Sequence, residues 1–147
     1  MMFEEVNKLV DEQNVLDFEV QSFEAGRLLI IGSFDLAYYH QAELLFDNVS
    51  FLSVPTLFHE PVFRLATAAE QSEVQVAIEG TDQVFAVDCE ASQGKTTGIV
   101  VAESVSIRLG RVYHYERQNL GPGERIAPWA KRSAQPAVAA DEASPRS

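Results

Sequence analysis

Asp35, Tyr38, Tyr39 and His40, in the segment "DLAYYHQAEL", set an acid, two phenols and an imidazole close together. These are the groups that general acid–base chemistry uses. Tyr113, His114 and Tyr115 form a second aromatic and imidazole group in "VYHYE", and His59 stands beside Glu60 in "LFHEPVF". A carboxylate that orients a histidine must lie within about 3 Å of it. What these residues can do therefore depends on which faces they share.

Successive side chains of a strand point to opposite faces, so parity assigns those faces. In "AELLF", Ala42, Leu44 and Phe46 share an apolar side. Extending that strand back without a bulge turns Tyr38 and His40 inward and leaves Asp35, Tyr39, Gln41 and Glu43 on the other side. Asp35 and His40 then diverge and make no dyad. His40 is expected to be a neutral, buried, hydrogen-bonded residue, with the Tyr38 ring in the core. In "SVSIRLGRVYHYER", Val105, Ile107 and Leu109 set an odd inner face that runs on to Tyr113 and Tyr115. His114 then lies outside with Glu116 and Arg108, and the two histidines do not converge. Only a bulge at Gly110, which a glycine inside a strand permits, reverses this.

The elements that carry these residues follow from periodicity. Phe3, Val6, Leu9 and Val10 recur at helical spacing, which predicts a short amphipathic helix packed on the sheet. From there the period is two. Residues 15–23 and 27–32 read as a hairpin with Gly26 in the turn, and Leu28 to Ile31, apolar on both faces, predicts a central strand. Strands are expected in "AELLF", "VSFLSVP", "VFRLATA", "VQVAIE" and "VFAVDCEA". A loop "SQGKTTG" then precedes a long extended run from Ile99 to Arg117, hinged near Gly110. The expected fold is all-β, a sandwich or partly open barrel of about seven or eight mainly antiparallel strands with one N-terminal helix. Residues 1–117 form the domain and 118–132 an extension in which Ile126, Pro128 and Trp129, the sole tryptophan, can anchor. The Pro/Ala/Ser-rich stretch 133–147 is expected to be a disordered tail.

Of 147 residues, 46% are hydrophobic and 22% charged, the composition of a globular domain. The net charge is −11, and residues 1–117 hold 19 Asp/Glu against 7 Lys/Arg, a net of −12. Such a field disfavours nucleic acid and anionic membranes and favours a basic protein partner. The one cysteine, Cys89, excludes an intrachain disulfide and a thiolate cluster, and its parity with Phe85 and Val87 places it in the core. No signal peptide and no long apolar run is evident, so the expected location is the cytoplasm.

The three histidines lack metal-ligand spacing, "QGKTT" lacks the earlier glycine and following helix of a phosphate loop, and no serine sits in a nucleophile elbow. No catalytic residue, metal or cofactor is assigned. The segment "AELLFDNVSFLSVPTLF", an alternating strand ending in Phe46 followed by Val49 and an apolar stretch closed by Pro55, resembles small bacterial β-rich domains, some of them immunity proteins of toxin systems. That resemblance implies a non-enzymatic interaction module and transfers no functional residue. Two other readings accompany it. One is a small-molecule site lined by Tyr38, His40, Tyr113 and Tyr115, and the other is an enzyme using His40 with a carboxylate from another strand. Pairing across an edge strand offers a route to a homodimer.

Overall fold

The computed structural model describes residues 2–130; the stretch 133–147 lies outside them. The order is α1 (Glu4–Gln13), β1 (Asp17–Glu24), β2 (Arg27–Ser33), β3 (Tyr39–Asp47), β4 (Phe51–Ser53), β5 (Leu57–Leu65), α2 (Ala68–Glu73), a 3-10 turn (Gln75–Ala77), β6 (Gln83–Ala91), β7 (Gly94–Ala102), β8 (Ser104–Tyr113) and β9 (Arg125–Ile126). The fold is all-β. Nine strands form one mixed sheet in the order β4-β7-β6-β5-β1-β2-β3-β8-β9, and only β8–β9 is parallel. The sheet ends on two short edges, β4 in the expected "VSFLSVP" and β9, which has no expected counterpart. Such short edges present little template for a further strand.

The hairpin β1–β2 turns through Ala25 and Gly26, both at positive φ, the pair of conformations a two-residue turn between twisted strands needs. β2 lies between β1 and β3 with Leu28, Ile30 and Ile31 buried, the central strand its double-sided apolarity predicts. The sheet bends over so that its wings meet through phenylalanines. Phe46 of β3 contacts Phe85 of β6 at 5.4 Å, and beside them Phe18 stacks on Phe58 of the neighbouring strand β5 at 5.8 Å. Gly32 makes room for this, because a Cβ there would lie 2.2 Å from the Phe18 ring. Cys89 is buried in the same core.

Helix α1 closes the core with Phe3, Val6 and Val10, all buried. It also seals part of β5. The Asn7 side-chain amide donates to the Phe63 carbonyl at 2.9 Å and accepts from the Phe63 N–H at 3.0 Å, as a neighbouring strand would.

Three elements depart from the sequence expectation. "VQVAIE" is no strand: the chain is helical from Ala68, and Val74 is buried while Val76 is 100% exposed. The cause is a capping box, in which Thr67 Oγ1 accepts from the Glu70 N–H and Glu70 accepts from the Thr67 N–H. Arg64 fixes that helix by forking between Glu70 and Asp88 with bonds of 2.8–3.0 Å. Secondly, "SQGKTTG" is a tight turn at Ser92 and Gln93 followed at once by β7. Thirdly, the long C-terminal run breaks at Glu103, where the chain leaves β6 and joins β3. His59 also lies in β5 rather than in a loop.

Candidate functional site

β3 delivers His40, β8 leads into His114, and an irregularity between them decides their relation. The strands pair as His40↔Val112 and, one step on, as Ala42↔Leu109, so Gly110 and Arg111 together oppose Gln41. Gly110 has φ +125°, a conformation L side chains rarely adopt. An extra residue on one strand twists it and re-aims its side chains. The unbroken parity that kept the histidines apart therefore fails here, and the Gly110 bulge turns them together: His40 Nδ1 lies 2.8 Å from His114 Nε2.

That contact is the middle of a chain. His114 Nδ1 donates to the Leu36 carbonyl at 3.0 Å, and His40 Nε2 lies 2.8 Å from Glu43 Oε2. Arg125 of β9 approaches the other Glu43 oxygen at 3.4 Å. The hydrogens can be counted. Each of the three bonds needs one hydrogen, two neutral imidazoles bring two, and a carboxylate brings none. The third is an added proton. The bond from His40, with the Arg125 charge beside it, holds the Glu43 carboxyl below its usual range. Burial, reinforced by His40, lowers the His114 pKa. His40 is bonded at both ring nitrogens, the hydrogen-bonded residue expected from the sequence.

His40 is 0% exposed. Its cover is the segment after β8. Trp129 stacks over His40 with ring centres 6.1 Å apart and an interplanar angle of 21°, and contacts His114 at 5.5 Å. Ile126 and Trp129 pack with Val112, Ala127 and Ala130, and the Ala127 N–H donates to the Tyr113 carbonyl at 2.8 Å. Pro128 is exposed.

The tyrosines do not join His40 around an interior space. Tyr38 is 59% exposed, against the expected core position. It precedes β3, in a turn where the Asp35 carbonyl accepts from the N–H groups of Tyr38 and Tyr39. Strand parity does not govern a residue in a turn. Tyr113 is buried and donates to Glu124 Oε2 at 3.1 Å, under the Arg117 guanidinium. Tyr115, beyond the end of β8, is 40% exposed and accepts from Arg117. Between the wings of the sheet the gap lined by Ile30, Phe46 and Phe85 is about 10 Å³, at the lower limit for one water.

Elsewhere, His59 pairs across strands with Asp17 at 2.8 Å on the surface, and burial raises the pKa of the Cys89 thiol, which makes it a poor nucleophile. A surface hollow of about 460 Å³ lies on the other wing, lined by Glu60, Val62, Asp88, Glu90, Lys95 and Thr97. Among the described residues no group of three or more His, Cys, Asp or Glu is placed to hold a metal, and no helix is long and apolar enough to cross a membrane.

Glu43 and Arg125 escaped the sequence reading because parity sets Glu43 opposite His40 and nothing local links Arg125 to either. The Gly110 signal was the one available pointer. No protein-family model, curated protein or solved structure matches the chain. The histidine chain can hold a proton and position the C-terminal extension. Both His40 nitrogens are bonded, and His40 itself has no exposed surface.

Proposed function

We propose that this chain is a non-enzymatic interaction module whose acidic surface receives a basic protein, in the manner of an immunity protein meeting its toxin. One observation carries the reading: the net charge of −12 on residues 1–117 is displayed outward, while the interior is filled and His40 is sealed. Glu4, Glu5, Asp11, Glu12, Glu24, Glu60 and Glu90 are all exposed. The hollow of β5–β7 suits a basic side chain, because Glu60 and Glu90 meet the charge and the half-exposed Val62 meets the aliphatic stem. A field of this sign speeds encounter with a cationic partner and is screened by salt.

The test is capture of a partner from the native host with the wild-type chain and with Glu60→Lys/Glu90→Lys. The reading expects a basic protein that salt releases and that the double variant fails to retain. Capture of no basic protein, or retention indifferent to salt and to the charge reversal, removes it.

A further inference from the structure

The hydrogen count at the histidine pair has a consequence for the extension that covers it. Three bonds link the Leu36 carbonyl, His114, His40 and Glu43 in series. They are complete only when the two imidazoles together hold three hydrogens. Remove one, and a nitrogen lone pair faces the Leu36 carbonyl, the other imidazole's lone pair or the Glu43 carboxylate. Add one, and two N–H groups collide at the 2.8 Å contact between the rings. Both faults fall under Trp129, which rests on both rings.

The surrounding groups favour the singly charged state. From β3, Glu43 faces the pair as an anion, and from β9 Arg125 lies against Glu43 rather than against the rings. In the loop before β3, Asp35 is occupied by the Ala37 N–H. On and after β8, Arg111 and Arg117 sit over Tyr39 and Tyr113, and Glu124 holds the Tyr113 hydroxyl and the Gly121 N–H. The extension is also attached through a two-residue strand, the Ala127 N–H bond to the Tyr113 carbonyl, the Tyr113 hydroxyl bond to Glu124, one short apolar cluster and the Arg125–Glu43 contact. Losing one of the three bonds under Trp129 leaves an unmet polar group in the buried part of that attachment.

We propose that the His40–His114 pair is a proton-counting clasp, which docks residues 124–130 onto β8 when it carries a single positive charge and releases them when it carries none or two. Docking therefore has a bell-shaped dependence on pH, without unfolding of the sheet. This goes beyond the proposed partner binding and does not depend on it.

Trp129 is the chain's one tryptophan, so its emission reports the clasp alone. The full chain is titrated from about pH 5 to about pH 9, a range that spans imidazole titration, with far-ultraviolet circular dichroism recorded alongside. The expected result is a Trp129 emission maximum that moves to the red on both sides of a central plateau, while the sheet signal stays constant. Glu43→Gln sharpens the test. A glutamine amide brings its own N–H to His40 Nε2, so the chain is then complete with two neutral rings. The alkaline limb should vanish while the acid limb persists, since the amide can also turn its oxygen to a singly protonated pair but nothing satisfies a doubly protonated one. A flat or one-sided profile in the wild type, loss of the sheet signal together with the Trp129 shift, or an alkaline limb that survives in Glu43→Gln would each overturn the proposal.

Discussion

Two apolar regions of this molecule are built on different principles. The main core joins α1 to both wings of the sheet through Phe3, Phe18, Phe46, Phe58, Phe63 and Phe85. Burial in it is non-directional, and no titrating group lies within it except the inert Cys89 thiol. The joint under the C-terminal extension buries only small side chains, Val112, Ala127 and Ala130, and depends on directional bonds around His40. A packed core gains from every methylene and is indifferent to pH. A polar joint gains only while every donor finds its acceptor, and one unmet partner is costly. The fold is thus expected to separate into a robust unit and a conditional one.

Phe18→Ala should have the largest effect, about 3–5 kcal/mol of unfolding free energy, because the side chain is fully buried between strands that cannot collapse onto the space. Urea denaturation measures it. A value below about 1 kcal/mol would mean that the core is looser than its geometry. Gly32→Ala tests the same packing from the other side, since the new methyl would overlap the Phe18 ring. About 1–3 kcal/mol is expected, with part of it recovered in the double variant Phe18→Leu/Gly32→Ala. Simple additivity of the two changes would contradict the contact.

In the joint, Trp129→Ala should cost about 1–2 kcal/mol, less than a core aromatic, because Trp129 is only partly buried. The loss should be confined to the extension and leave the urea midpoint of the sheet nearly unchanged. Smaller still is the effect of acid on the whole chain. The carboxyls of Glu43, Asp88 and Glu70 are held below their ordinary values, that of Glu70 at about 2 by Arg64. Their contributions are present above the unfolded-state values and are lost as pH falls through the folded ones. His114 has its folded pKa lowered, so the unfolded chain takes up a proton first as pH drops below about 6.5. Both trends lower Tm on acidification. His114→Gln should keep more of its Tm than the wild type between pH 7 and 5, and an unchanged acid loss in that variant would show that His114 does not titrate as described.

Much of the main core was legible, because burial leaves its mark on sequence period. The N-terminal helix, the Gly26 hairpin, the double-sided β2 strand and Cys89 are all where apolar spacing puts them. The joint was mostly hidden. Parity presumes an unbroken strand, and a single extra residue at Gly110 reverses the outcome for His114. Tyr38 was misplaced because an Asp35 turn, rather than β3, holds it. The capping box at Thr67 and Glu70 was readable in "TAAE", yet the alternation of Val74, Val76 and Ile78 masked it. Glu43 and Arg125 were not readable, since long-range contacts carry no local signature.

The distinction between the two regions is tested most directly by residue-resolved amide hydrogen exchange under native conditions. The Ala127 N–H, bonded to the Tyr113 carbonyl, should exchange through a local opening whose free energy lies well below that of the buried β2 amides of Ile30 and Ile31, and which responds to pH when theirs do not. Equal protection at Ala127 and β2, moving together with pH, would show one cooperative unit and contradict the account.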